Sequence, residues 1–291
     1  MVGRTMTIPM KMATTKQVLI SSVRGTELAE GSDIVAVESP LEIQLQTYGE
    51  PPATVSITMR TPGDDLALAV GFLWGEGVLL SASHVDIVRS YVIHATNQVC
   101  IALKEGCTAR TDLLQRNFYT TSSCGVCGKA SLELIQQKSQ YDMDARSPVV
   151  PMEVVHELSK KVRAEQVAFD QTGGLHAAAL FDVAGSLIAL REDVGRHNAV
   201  DKIIGSQIIA DRLPLFNNLL FLSGRSSFEL VQKAAMVGIP IVAAVGAPSS
   251  LAIEVAREFS ITLVGFLRPG SFNIYSSPGR VSGINGTAYR C

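Results

Sequence analysis

The sequence predicts an α/β protein, with a C-terminal α/β domain preceded by a smaller N-terminal α+β domain. Two observations carry this. After about residue 148, short apolar strands alternate with helical segments in the order α-β-β-α-β-α-β-α-β, and the closing βαβ units imply parallel strands joined by right-handed crossovers. Before it, Leu41-Glu42-Ile43-Gln44-Leu45 and Val55-Ser56-Ile57-Thr58-Met59 alternate with period two, the signature of half-buried strands. Composition agrees. Hydrophobic residues make up 47% of the 291-residue chain and charged residues 18%, enough to bury a full core and inconsistent with disorder.

Each element has a local reason. Residues 1–23, with four methionines, read as a flexible tail. The α+β domain covers 24–118. Its strands fall between residues 34 and 59 and turn at Gly49-Glu50-Pro51-Pro52. Thr61-Pro62-Gly63-Asp64 reads as a helix start, with Thr61 as cap and Pro62 in the first helical position. Leu66, Ala69, Val70 and Leu73 then form an apolar stripe that Gly77 ends. Strands follow over 87–93 and 99–103. Residues 119–147 hold a cysteine loop, a helix over 128–138 and a polar connection ending at Ser147-Pro148. The α/β domain covers 148–275. It begins with a helix over 153–164, followed by a strand pair over 176–181 and 186–190. A helix over 196–204, stopped by Gly205, leads to strands at 219–222, 239–245 and 261–266, with helices over 228–237 and 251–259 between them. Residues 276–291 read as a C-terminal tail.

Charge and cysteine usage exclude several classes. The net charge of −2 argues against a general nucleic-acid binder, which is normally basic. No run approaches the ~20 apolar residues of a membrane-spanning helix. Val18-Leu19-Ile20 is too short for a signal core, and the five cysteines are an odd number. The expectation is a cytoplasmic protein with reduced thiols.

The chemistry concentrates at Cys124-Gly125-Val126-Cys127. A thiol near a helix N-terminus feels the positive end of the macrodipole, which raises its thiolate fraction, and Lys129 adds a positive charge. Disulfide exchange, persulfide carriage and metal ligation all use such a pair. A structural zinc site normally shows a second pair or two histidines at matching spacing. Cys100 and Cys107 do not supply one, so no metal is expected.

A second locus is the carboxyl edge of the C-terminal sheet, where ligands of open α/β sheets bind. Ser223-Gly224-Arg225-Ser226, Gly246-Ala247-Pro248-Ser249-Ser250 and Leu267-Arg268-Pro269-Gly270-Ser271 leave strand ends there. Two of these loops open helices, whose free N–H groups suit an anion. Ser226 and Glu229 also fit a capping box. Arg225 and Arg268 favour an anion or nucleotide site over capping alone. The densest polar cluster, Arg191-Glu192-Asp193-Val194-Gly195-Arg196-His197-Asn198, bridges a strand end and a helix start on the same edge and reads as part of a site. His176 follows a Gly-rich entry and reads equally as a part-buried histidine.

The element order of the second half resembles the cytidine deaminase fold. The zinc and acid/base positions of those enzymes fall here on His197-Asn198-Ala199 and Ser223-Gly224-Arg225-Ser226-Ser227-Phe228. The glutamate and both cysteines are missing, so that chemistry is not expected.

Five motifs in one order resemble the formate dehydrogenase accessory sulfurtransferase (FdhD) family. They are Thr61-Pro62-Gly63-Asp64-Asp65-Leu66-Ala67-Leu68 with Gly71-Phe72-Leu73, Cys124-Gly125-Val126-Cys127, Thr172-Gly173-Gly174-x-His176-Ala177-Ala178, Glu192-Asp193-Val194-Gly195-Arg196-His197-Asn198-Ala199-x-Asp201-Lys202, and Ser223-Gly224-Arg225. The resemblance implies a sulfur carrier. It would accept persulfide sulfur from a cysteine desulfurase on Cys124 and Cys127. It would pass that sulfur to a molybdenum or tungsten bis-molybdopterin guanine dinucleotide cofactor destined for the formate dehydrogenase catalytic subunit. GDP is then a partial mimic of the cofactor, and a homodimer the expected assembly. The implied cofactor-binding stretch is Phe266, Leu267, Arg268, Pro269, Gly270 and Ser271, joined by Ser223, Gly224, Arg225, Arg196 and His197. A non-catalytic cofactor chaperone and a zinc-binding structural module are the competing readings.

Overall fold

The computed structural model describes residues 13–110 and 141–284. Cys124, Cys127 and the helix expected over 128–138 lie outside them. The described chain is a mixed α/β structure with several sheets.

It begins with a correction. Part of the expected tail is a strand: β1 (Thr15–Arg24) pairs antiparallel with β2 (Glu27–Ala36) over ten unbroken positions. Leu19, Val23, Leu28 and Ile34 share one exposed face of this ribbon. Among the described residues neither face is covered along its length, so no burial there imposes the alternation that marks a strand in sequence.

A four-stranded sheet follows, in the order β4-β3-β6-β5, from β3 (Ser39–Gln46), β4 (Ala53–Arg60), β5 (Val85–Ile93) and β6 (Gln98–Leu103). Leu41, Ile43 and Leu45 point inward toward α1 (Asp65–Gly75). That helix starts later than expected. Asp64 is its left-handed cap residue, at φ 55°. Thr61 does not cap it, because its hydroxyl accepts the Val194 N–H at 3.2 Å and its own N–H donates to Asp193.

The C-terminal half is a six-stranded sheet in the order β13-β12-β11-β10-β8-β9. Strands β10 (Asn218–Leu222), β11 (Ile241–Ala244) and β12 (Thr262–Arg268) are parallel, as the βαβ pattern implies. Strands β8 (His176–Asp182), β9 (Leu187–Asp193) and β13 (Ser271–Ser276) join antiparallel. Alternate residues face two helical layers. Leu220, Leu222, Val242 and Ala244 meet α4 (Arg196–Ile209), α5 (Phe228–Ala235) and α6 (Ser250–Glu258). Leu219, Phe221, Ile241 and Ala243 meet Val155, Leu158 and Val162 of α2 (Met152–Glu165). A short α3 (Val167–Thr172) follows α2. Among the described residues, no helix is long and apolar enough to cross a membrane.

The expected C-terminal tail is also ordered in part. β14 (Val281–Ser282) pairs with β7 (Val150–Pro151). Arg280, fully buried, donates its Nε–H to the Ser147 carbonyl at 2.8 Å. A second guanidinium nitrogen bonds the Asp144 carbonyl.

Gly205 does not stop its helix, which runs on to Ile209. A Cβ there would lie 1.8 Å from the Ala67 carbonyl oxygen, and one on Gly71 would lie 2.0 Å from the Asp201 oxygen. Glycine lets α1 and α4 touch backbone to backbone. One hydrophobic core consequently runs from Leu41 through Leu68 and Ile203 to Leu263, across both halves.

A buried polar clasp closes the same junction. Lys202 Nζ lies 2.7 Å from Asp193 Oδ2, with both side chains at most 2% exposed, and donates to the Thr61 carbonyl at 2.8 Å. Asn198 Nδ2 donates to the Met59 carbonyl at 2.7 Å and to Asp193 Oδ1 at 3.0 Å. Removing one partner of a buried pair strands the other charge. Lys202→Met is expected to lower unfolding free energy by about 3–5 kcal/mol, read from the denaturant midpoint.

Candidate functional site

The parallel strands place three loop starts on one edge, and a cavity of about 980 Å³ opens there. Phe221 lies in β10 and Ser223 just past its end, Val245 follows β11, and Leu267 and Arg268 end β12 with Pro269 just beyond. The opposite wall comes from Lys160 and Arg163 of α2, Phe169 of α3 and the Gly173-Gly174 approach to β8. The lining is mostly apolar with a few convergent polar groups, the composition of a small-molecule site.

The structure divides the predicted residues. Ser223, Leu267, Arg268 and Pro269 line the cavity. The Ser223 hydroxyl accepts the Ala177 N–H at 2.8 Å, so its role is to hold the wall. Arg268 Nη1 donates to the Val245 and Leu267 carbonyls, both at 2.8 Å, which fixes the guanidinium beside the cavity. Phe266, Gly270 and Ser271 are exposed and outside the lining. Arg225 is likewise exposed and outside it. Gly224 packs beside the His176 ring, where a Cβ would lie 3.4 Å from Nδ1.

Ser226 is not a helix cap. Ser227 holds that position without a side-chain hydrogen bond, and Ser226 is buried in a bridge to Pro248. Glu229 turns instead toward His197, 3.9 Å away. His197 Nε2 also lies 3.3 Å from the Ser227 hydroxyl. The His197 imidazole, with lesser help from Ser227, holds the Glu229 carboxyl down at about 2 against the opposing effect of burial.

The polar cluster over 191–198 has two parts. Asp193 and Asn198 belong to the clasp between the halves. Glu192 accepts the Ala168 and Phe169 N–H groups that begin α3. Arg196 and His197 are only part-buried. They lie near His176, which lines the cavity. A second cavity of about 640 Å³ lies between the Thr61–Asp64 turn and Arg191–Glu192, where Arg191 Nε meets Asp64 Oδ2 at 3.1 Å.

The FdhD/NarQ family model matches residues 36–282. The chain belongs to the FdhD/NarQ family. Among its relatives, the "Sulfur carrier protein FdhD" of Streptomyces avermitilis is 47% identical over 268 residues, covering 89% of this chain and 93% of that one. The protein of the same name from Sulfolobus acidocaldarius is 43% identical, covering 91% and 98%. A crystal structure of a formate dehydrogenase accessory protein from Desulfotalea psychrophila superposes with a TM-score of 0.73 at 23% identity, covering 92% of this chain and all of that one. That likeness is one of fold.

Sequence reasoning missed the α2 wall of the cavity. The helix expected over 153–164 is read only by its extent, and Lys160 and Arg163, both exposed, carry no assignment. The available signal was position. A basic helix face immediately before a Gly-rich strand entry lies over the edge where the ligand loops end.

His176 reports the site's electrostatics. Burial, then the nearby Arg196 and His197, push its pKa below 6.5, and Asp193 opposes them. The unfolded chain therefore binds this proton more readily than the folded one. The contribution of His176 to stability is full above about pH 6.5 and falls as pH drops toward the native value. In NMR titrations its ring is expected to change charge below pH 6.5, and Arg196→Gln should move the midpoint upward. An unmoved midpoint would separate Arg196 from this cavity.

Proposed function

We propose that this chain is a cytoplasmic sulfur carrier. It takes persulfide sulfur from a cysteine desulfurase and passes it to the molybdenum bis-molybdopterin guanine dinucleotide cofactor of formate dehydrogenase. The observation that carries the reading is the cavity at the carboxyl edge, with Arg268 tethered beside it. Its volume suits one nucleotide arm of such a ligand, and GDP is its simplest mimic. The names of the relatives, sulfur carrier proteins and a formate dehydrogenase accessory protein, support the same assignment. The order β9-β8-β10-β11-β12, with β8 antiparallel to β10 and parallel strands beyond it, supports a cytidine-deaminase-like C-terminal layer.

In this scheme the Cys124 thiolate attacks the terminal sulfur of the donor's persulfide. The donor S–S bond breaks, its cysteine leaves as a thiolate, and Cys124 holds the sulfur until it passes to the cofactor, with Cys127 assisting. Arg196 and His197 border the face that receives it. The cofactor is substrate here, and a homodimer is the proposed assembly.

Two outcomes test the scheme. Mass spectrometry after incubation with a cysteine desulfurase and cysteine should show one added sulfur atom on the wild type and none on Cys124→Ala. Sulfur uptake by that variant, together with full support of formate dehydrogenase, would falsify the assignment of Cys124. Calorimetry should show GDP binding weakened roughly tenfold by Arg268→Ala, the loss of one charged hydrogen bond. Unchanged affinity would remove the loop over 266–271 from the nucleotide site.

A further inference from the structure

We infer that Gln166 reads the hydrogen-bonding edge of the base in this cavity. The inference rests on the nucleotide reading above. Gln166 directly follows α2, and its backbone carbonyl accepts the Asp170 N–H at 3.0 Å, which joins α2 to α3. The residue is only 6% exposed and lines the cavity. Its side-chain amide has no hydrogen-bond partner among the described residues. Its amide atoms are not among the buried unpaired polar atoms of the described residues; they stay open to the cavity that Gln166 lines, where an occupant can supply the partner that no wall residue does.

The neighbours give the occupant an orientation. Ser159 and Arg163 are spaced i, i+4 on α2, and Gln166 is the residue at its C-terminal cap. The Ser159 hydroxyl is also buried without a partner. Arg163 is exposed, pairs with Asp170 and stands over the Phe169 ring at 4.8 Å. Lys160 and Arg268 are exposed as well. The cations are thus exposed members of the lining, while Gln166, Leu175 and Phe221 are among its buried ones. A nucleoside diphosphate matches this gradient with its phosphates outward and its base inward. The amide offers an acceptor and a donor side by side. Guanine offers N1–H and its 2-amino group to the amide oxygen, and O6 to the amide nitrogen.

The test is calorimetry on the full chain with GDP and with purine riboside 5′-diphosphate. The second ligand keeps the phosphates and the ring system but lacks O6, N1–H and the 2-amino group. The wild type should bind GDP at least about tenfold more tightly, the effect of one or two buried hydrogen bonds. Gln166→Met should reduce GDP affinity to that of the stripped ligand and leave the stripped ligand's affinity unchanged. Gln166→Glu, whose carboxylate accepts from both guanine donors, should keep GDP binding close to wild type. Arg268→Ala should weaken both ligands together. Equal binding of the two ligands by the wild type overturns the inference without needing any variant to fold. So does a Met variant with unchanged GDP affinity, or a Glu variant that loses as much as Met. A wild type that binds neither ligand removes the nucleotide reading itself.

Discussion

The buried pair of Lys202 and Asp193 ties the Thr61 segment ahead of α1 in one half to the end of β9 in the other. Lys202 reaches the Thr61 carbonyl, and Asp193 accepts the Thr61 N–H. Two ions out of water are destabilising unless every remaining donor and acceptor is met. Asp193 meets this demand with Gly195 and Asn198, and Asn198 continues to Met59. Directional bonds of this kind admit one relative placement of the halves, whereas apolar contact tolerates several. The placement sets where β9 ends and where α4 begins. That in turn fixes Arg196 and His197 near His176 and the cavity edge.

Much of the fold was legible because burial writes itself into sequence as periodicity. Leu41, Ile43 and Leu45 alternate because one face of β3 is core. The strands from β10 to β12 are continuous apolar runs because both faces are covered. The parallel edge followed from that, and with it Ser223, Leu267, Arg268 and Pro269 as cavity walls. What failed were features whose cause lies far along the chain. Gly205 carries the ordinary sign of a helix end, yet it is there because Ala67 approaches it. Thr61 carries the signs of a cap, but its partner is Val194, and the cap position falls to Asp64, whose carboxylate meets Arg191. The β1–β2 ribbon has no face covered by the described residues and so left no pattern.

The polar segment after β9 shows how one motif can hold two tasks. Asp193, Asn198, Asp201 and Lys202 are consumed by structure. Asp201 pairs with Lys233, deep beneath Gly75. Arg196 and His197 sit between them in sequence and keep surface exposure. Read in one dimension, all of these look like a site. In three dimensions α4 turns the clasp residues toward the N-terminal half and leaves the other two on the ligand edge. The helical repeat does the sorting.

The close crossing of α1 and α4 also bears on synthesis. Leu68, Val70 and Leu73 share their core with Ile203 and Ile204, more than a hundred positions later in the chain. As the polypeptide leaves the ribosome, the first sheet and its helix emerge with that face uncovered. They stay so until the second half follows, at roughly 5–20 residues per second. The N-terminal half is thus a dependent fragment rather than a vectorially folding domain. Its apolar helix face is a ready target for a chaperone during that interval.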